Sequence, residues 1–382
     1  MHHHAGMKRK RTGLAAAFAL ALAVALFSTR STGRIPVITS RSFLSFASAN
    51  SIPQAFLLGA EAARTAGTPR TALLPFTALD RAGYIDPEKP AIYTFPYSDR
   101  IAIDASGWIR YDRFGVQIEI EKPGQPSISL KVFAYPWFRA GRRFLLRADQ
   151  MALAEIDDRG TILWEHEFPM IITALDASAD LAAAGLLDGS LILMDRDGSI
   201  SFIKSDNSRG VINPVYGLAL SPDGKMAVII RGISPKRIEL YAANGTILQK
   251  KKECLLPSNA PLQATAAFSD DSSHVIAAMG SELYHYDVRS NRAVSLASEM
   301  RQNSNLAYTV LGPAGRQSIA VLAGMSANSG KADGGFDSSA VWILRHGESI
   351  LSYPGAVGFS ASKQTLAFVT ESGVDCLKGE GL

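Results

Sequence analysis

The sequence predicts an all-β chain of seven four-stranded antiparallel sheets set radially about an axis, and three observations predict it. A polar hairpin turn recurs at near-regular intervals. A second strand-turn-strand signature precedes most of those turns, so each unit carries four strands. The last unit is one strand short, and an apolar segment near the start of the chain can supply the missing strand. Units of four strands and about 40–45 residues stack as the blades of a β-propeller, and a strand from the opposite terminus removes the open edge.

The turns are Asp112–Gly115, Asp157–Gly160, Asp195–Gly198, Ala243–Gly245, Ser290–Asn291 and His346–Gly347. Their Gly or Asn residues fall at 115, 160, 198, 245, 291 and 347, at intervals of 45, 38, 47, 46 and 56. The last interval is long because a Gly-, Ser- and Asn-rich stretch, 326–338, is inserted there. Gly or Asn is needed because a hairpin turn places one residue at positive φ, and a preceding Asp can bond the turn's own backbone. The second signature reads Ser221-Pro222-Asp223-Gly224-Lys225 before Met226–Ile230, and Ser269-Asp270-Asp271-Ser272 before His274–Ala278. Similar turns precede the strands at 181–184, 318–322 and 365–369.

Blades are thus expected at about 91–121, 130–169, 171–204, 215–250, 263–297, 306–353 and 356–377. Arg34–Ser40 is the candidate closing strand, with Arg70–Leu79 in reserve. Ser51–Thr65 is expected to be a rim helix, capped by Ser51, with Pro53 in its first turn and Phe56, Leu57, Ala60 and Ala63 on one face. The resulting division is a leader at 1–33, a closing strand with a helical and loop segment at 34–90, the propeller at 91–377 and a tail at 378–382.

Two motifs carry a resemblance. Ser221-Pro222-Asp223-Gly224-Lys225 resembles the turn between first and second strands of WD40-like propellers. Ala154, Asp157, Gly160 and Trp164 resemble the quinoprotein-type (PQQ-like) repeat. The resemblance covers about 90–377 and implies an interaction scaffold of the cell-envelope-assembly kind. It departs from those families in lacking the Trp-Asp and Gly-His dipeptides, and a single PQQ-type unit cannot build a quinone shell, so no cofactor is expected.

Lys8-Arg9-Lys10-Arg11 precedes an uncharged apolar run from Leu14 to Phe27, the layout of a signal peptide. Fourteen helical residues rise about 21 Å, less than the roughly 30 Å of a bilayer core. Either a cleaved signal or an uncleaved signal-anchor tether through 14–27 is consistent with this, and both place the rest of the chain outside the cytoplasm. No Cys lies beside the run for a lipid anchor. The leader holds five bases and no acid, so without it the net charge falls from +4 to −1. Nucleic-acid binding, which needs a retained basic surface, is not expected.

His274 and His285 fall in neighbouring strands, but no Cys, Glu or third His stands at metal-site spacing in the sequence, so paired sheet histidines are expected. Asp195-x-Asp197-Gly198 lacks the acidic twelfth position of a calcium loop. With no Gly-x-Ser-x-Gly, His-Glu-x-x-His or P-loop motif, the expectation is a non-catalytic scaffold. In four-stranded blades the first-to-second and third-to-fourth turns share one face, while the second-to-third loops and the blade-to-blade links share the other. That second face has the longer loops, and it is predicted to bind an envelope protein partner through a basic rim of Lys204, Arg209, Arg231, Lys236, Arg237, Lys250, Lys251 and Lys252. The alternative is a ligand-binding or enzymatic propeller with polar side chains converging on its central channel. First strands rich in Ala, Leu, Phe and Val argue against it.

Overall fold

The computed structural model describes residues 37–49, 73–87, 91–105, 107–122, 126–203, 213–232, 235–245, 247–258, 263–296, 306–325, 339–362 and 364–380. They form eight antiparallel sheets, so the seven-blade expectation is corrected to eight. Blade 1 has three strands, Leu74–Thr77, Arg81–Asp86 and Ala91–Pro96. Blades 2 to 7 have four each and begin at Arg100, Ala134, Ile172, Val215, Thr265 and Leu306. Blade 8 comprises Gly358–Ala361, Thr365–Val369 and Gly373–Glu380, with Val37–Ser45 as its outermost strand. The expected helix at 51–65 lies outside the described residues, as does the leader. Among the described residues there is no α-helix, only the single 3-10 turn Phe46–Ser48. No described helix is long and apolar enough to cross a membrane.

Apolar contacts close the ring at every boundary. Phe95 stacks on Trp108 between blades 1 and 2, with ring centroids 4.2 Å apart. Buried clusters then bridge blades 2 and 3 (Ile109 to Ala154), 3 and 4 (Phe144 to Ile192) and 4 and 5 (Leu193 to Leu218). Others bridge 5 and 6 (Val228 to Tyr286), 6 and 7 (Ile276 to Val321), 7 and 8 (Ile343 to Phe368) and 8 and 1 (Val369 to Phe76). Middle strands are apolar on both faces because each is covered by a neighbouring blade. Ala182–Leu186 and Leu191–Met194 are buried throughout. Near the axis the residues shrink: a Cβ on Gly185 would sit 2.3 Å from Val215, so only Gly lets blades 4 and 5 approach this closely.

The repeated hairpin turns have one construction. The Asp195 carboxylate accepts from the backbone N–H groups of Asp197 (3.0 Å) and Ser199 (2.8 Å), and Gly198 follows at φ +79°. Asp157 does the same for Arg159 and Thr161, both at 2.8 Å, ahead of Gly160. The calcium-loop fragment is therefore an ordinary hairpin turn.

Blade 1 accounts for the miscount, and it runs backwards. The Thr77 carbonyl would meet a Cβ on Gly358, the first residue of blade 8's inner strand, at 3.2 Å. Arg81 lies over the Phe46 ring, and Phe46 N–H donates to the Ser372 carbonyl in blade 8's second-to-third loop. At the other end of the sheet, Asp86 and Pro87 share a cavity with Thr365 and Lys378. Thr77 and Arg81 thus stand on the long-loop face, where every other blade puts its blade-to-blade links. A chain entering from the opposite face must leave after an odd number of strands to start blade 2 in the regular direction, and three do this. Leu74–Thr77, inside the segment expected as a reserve closing strand, is this sheet's inner strand.

Candidate functional site

The expected basic rim is not an array of free cations. Lys204 and Arg209 lie outside the described residues. Arg231 is buried and paired with Glu239 at 2.9 Å. Arg237 meets Glu253 at 3.2 Å, and Lys250 bridges Glu239 (2.8 Å) and Glu253. Burial alone would lower the Lys250 pKa, but these two carboxylates raise it overall, and Lys250 in turn holds Glu253 below the usual carboxylate range. Lys236 is fully buried, with its Nζ 3.7 Å from the Tyr216 ring centroid, and burial lowers its pKa. Lys252 donates to the Val288 and Arg289 carbonyls of blade 6 at 3.0 and 2.8 Å. Lys251 is exposed, bonded to Gln249 at 2.6 Å. Lys250, Lys251 and Lys252 were expected in a loop; they lie inside the strand Ile247–Leu256. Among the described residues, Arg231, Arg237 and Lys250 form an ion-pair network with Glu239 and Glu253 that ties the strands of blade 5 together, and Lys252 fastens that blade to blade 6.

The central channel holds a cavity of about 680 Å³, lined by Trp137, Arg139, Asp176, Gln263 and Thr309 among mostly apolar residues. Arg139 and Asp176 form its charged pair, at 2.6 Å. The second Asp176 oxygen accepts from the Leu220 N–H at 2.7 Å, so one carboxylate links the inner strands of blades 3, 4 and 5. Burial raises the Asp176 pKa, while Arg139 and the backbone bond oppose that shift. Among the described residues lining the cavity, Arg139 and Asp176 are the charged ones, and both are engaged in strand-to-strand bonds. Trp137 packs on Phe144 inside blade 3, 5.2 Å between centroids, and is half-buried.

His274 and His285 come together, with Nδ1 and Nε2 3.0 Å apart, and His346 of blade 7 joins them with its ring centroid 4.5 Å from that of His274. The sequence did not disclose this third ring, because 61 residues separate His285 from it. Among the described residues no group of three His, Cys, Asp or Glu is arranged to hold a metal ion.

What sequence reasoning missed is an apolar stretch on the long-loop face. Leu79, Phe114, Val116, Phe133 and Ile171 are 41–66% exposed. The backbone sets Phe114 and Val116 beside Phe133 and ties Phe133 and Ile171 to the second-to-third loops of blades 3 and 4. The Gly115 carbonyl, between Phe114 and Val116, accepts from Ala134 N–H at 2.9 Å; Ala148 N–H donates to the Phe133 carbonyl at 2.9 Å; and Leu187 N–H donates to the Ile171 carbonyl at 2.9 Å. Leu79 arrives on this face because blade 1 is reversed. The sequence places Phe114 in a hairpin turn, but not which face of the ring that turn occupies, so the surface stayed hidden.

Comparison with known proteins agrees with the architecture. An uncharacterized protein of Treponema pallidum (strain Nichols) is 24% identical over 173 residues, 44% of this chain and 45% of that protein, so the chain spans under half the length of this curated relative. BamB from Moraxella catarrhalis superposes with a TM-score of 0.51 at 13% identity, covering 90% of this chain and 97% of that one. Hsv2 of Kluyvelomyces marxianus gives 0.51 at 8% identity, covering 74% and 95%. These likenesses are of fold. A family model described as a β-propeller protein matches residues 50–251, more than half of the sequence, and the chain belongs to that β-propeller family.

Proposed function

We propose that the chain is a non-catalytic, extracytoplasmic interaction scaffold that presents the long-loop face of blades 1 to 4 to a protein partner in the cell envelope. The observation that carries this is the exposure of Leu79, Phe114, Val116, Phe133 and Ile171 on one half of that face, with Phe114 and Val116 beside Phe133. Exposed apolar side chains gathered on a rigid scaffold and rimmed by charges mark protein contact surfaces. The rim is supplied by Asp80, Arg81, Asp112, Arg147 and Asp149. Arg81 is paired with Asp80 and Arg147 with Asp149 and Glu167, leaving the apolar groups as the surface with most to gain from burial.

The compartment rests on Lys8–Arg11 followed by the apolar run 14–27. The likeness to BamB is one of fold and supports the scaffold class only as an analogy. A channel-ligand role has the cavity of about 680 Å³ in its favour, but the charged pair there is already spent on strand-to-strand bonds.

Photocrosslinking from the native envelope decides between them. A photoreactive amino acid at Phe114 or Phe133 is expected to capture one protein partner, whereas the same probe at Ile200 or Ile247, on the opposite face, captures none. Capture confined to the Ile200 and Ile247 positions would refute the docking face.

A further inference from the structure

We propose that the seam between blades 6 and 7 is an acid-sensitive latch, in which a cluster of three histidines holds adjacent blades together near neutral pH and releases them on acidification. His274 and His285 are both buried on facing strands of blade 6, at partnered sheet positions Ile276↔His285 and His274↔Asp287. His346 comes from the hairpin turn of blade 7 at φ +53°, and its Nε2 bonds to the Gln317 Oε1 at 3.0 Å. The next residue, Gly347, leaves no spare room: a Cβ there would stand 3.0 Å from the His285 Nδ1. The same seam is crossed by Asp271 N–H, which donates to the Arg316 carbonyl at 2.9 Å.

The His285 Nε2 to His274 Nδ1 bond needs one N–H and one lone pair. Adding a proton to the accepting ring sets two N–H groups against each other at 3.0 Å. Asp287 and Asp271 favour the charged rings, but burial and the neighbouring rings outweigh them. The nearer carboxylate, Asp287, has its Oδ2 at 3.8 Å from the His274 Nδ1 and its Oδ1 already accepts from Ser290 N–H. Asp271 is engaged by Ser269 and Ser273, while Arg289 on the same blade adds to the repulsion against His274. Around the seam lie Asp270 on blade 6, Lys252 of blade 5, which bonds the Val288 and Arg289 carbonyls, and Arg316, Arg345 and Glu348 of blade 7. Arg345 donates to the Ser318 hydroxyl.

Burial, then the His274 charge, pushes the His285 pKa down to about 4, and burial with the neighbouring His346 lowers that of His274. Since the unfolded value is about 6.5, the opened state binds more protons between these limits. The latch therefore holds above pH about 6.5 and weakens as pH falls toward 4. For His285 alone the open-to-closed ratio rises about thirty-fold between pH 7.5 and pH 5.

Hydrogen exchange on the full chain at pH 7.5 and 5.0, with labelling times scaled for intrinsic exchange, tests this. The expected result is a loss of protection of about thirty-fold in His274–Asp287 and Ala340–Arg345, with blades 2 to 4 unchanged. The H274Q/H285Q double variant, whose amides can bond without titrating, should lose the pH step. Should that variant not fold, H346N keeps the left-handed turn while removing the ring that lowers the His274 pKa, and should shrink the pH step while leaving its onset where it was. Equal loss of protection in all eight blades, a pH step retained by the double variant, or a step of undiminished size in H346N would each overturn the latch.

Discussion

Arg142 and Glu155 show how much of this chain's charge is structural. Both are buried, and the guanidinium meets the carboxylate at 2.8 and 2.5 Å. Removing one member leaves an ion without compensation in a dry sheet, whereas removing both for apolar groups of like size can be nearly neutral. R142M is expected to cost about 3–5 kcal/mol and R142M/E155L to recover most of it. Urea unfolding monitored by tryptophan fluorescence measures both; equal losses in the two variants would mean that the pair does not act as a unit. The same economy governs Arg143 on Asp104 and Arg231 on Glu239, which is why a count of basic residues overstated the free positive surface. The partners Glu239 and Glu253 stand opposite one another across two strands, a relation set by register.

At the scale of the sheet, what could be read from the sequence was whatever the turn chemistry spells out. Asp-x-x-Gly turns announced blades 2 to 4, because positive φ and an Asp-bonded backbone leave a compositional trace. Blade 1 leaves none: its first turn, Ala78-Leu79-Asp80, has no glycine, and three strands provide no third-to-fourth hairpin. Its last strand, Ala91–Pro96, was therefore assigned to the next unit. That strand has no partner on its outer side among the described residues, and Pro96 at its end lacks an N–H, a feature tolerated at a sheet edge. The closing strand pairs Ser42 with Cys376 in blade 8. An S42C/C254S variant is expected to form a disulfide between residues 42 and 376 on mild oxidation, detected by non-reducing peptide mapping. Two free thiols in the folded protein would place the N-terminal strand elsewhere.

Taken whole, the molecule is a ring whose two faces differ for topological reasons. First-to-second and third-to-fourth turns make one face, and second-to-third loops with the blade-to-blade links make the other, which also takes blade 2's Asp-bonded turn at Asp112–Gly115. The reversed entry of blade 1 adds Leu79 to the half of that face carrying Phe114, Val116, Phe133 and Ile171. That surface was not legible in the sequence, because exposure there depends on the order of blades about the axis. The histidine seam was half legible: two rings shared a predicted sheet, and the third arrived only through packing of blade 7 on blade 6.

The order of blades about the axis is what everything functional rests on, and an experimental density map of the intact chain tests it most directly. Eight radial sheets are predicted, with a three-stranded sheet of residues 74–96 lying between blades 8 and 2 and running opposite to both. Seven sheets, with that segment packed outside the ring, would contradict the architecture and remove Leu79 from the docking face.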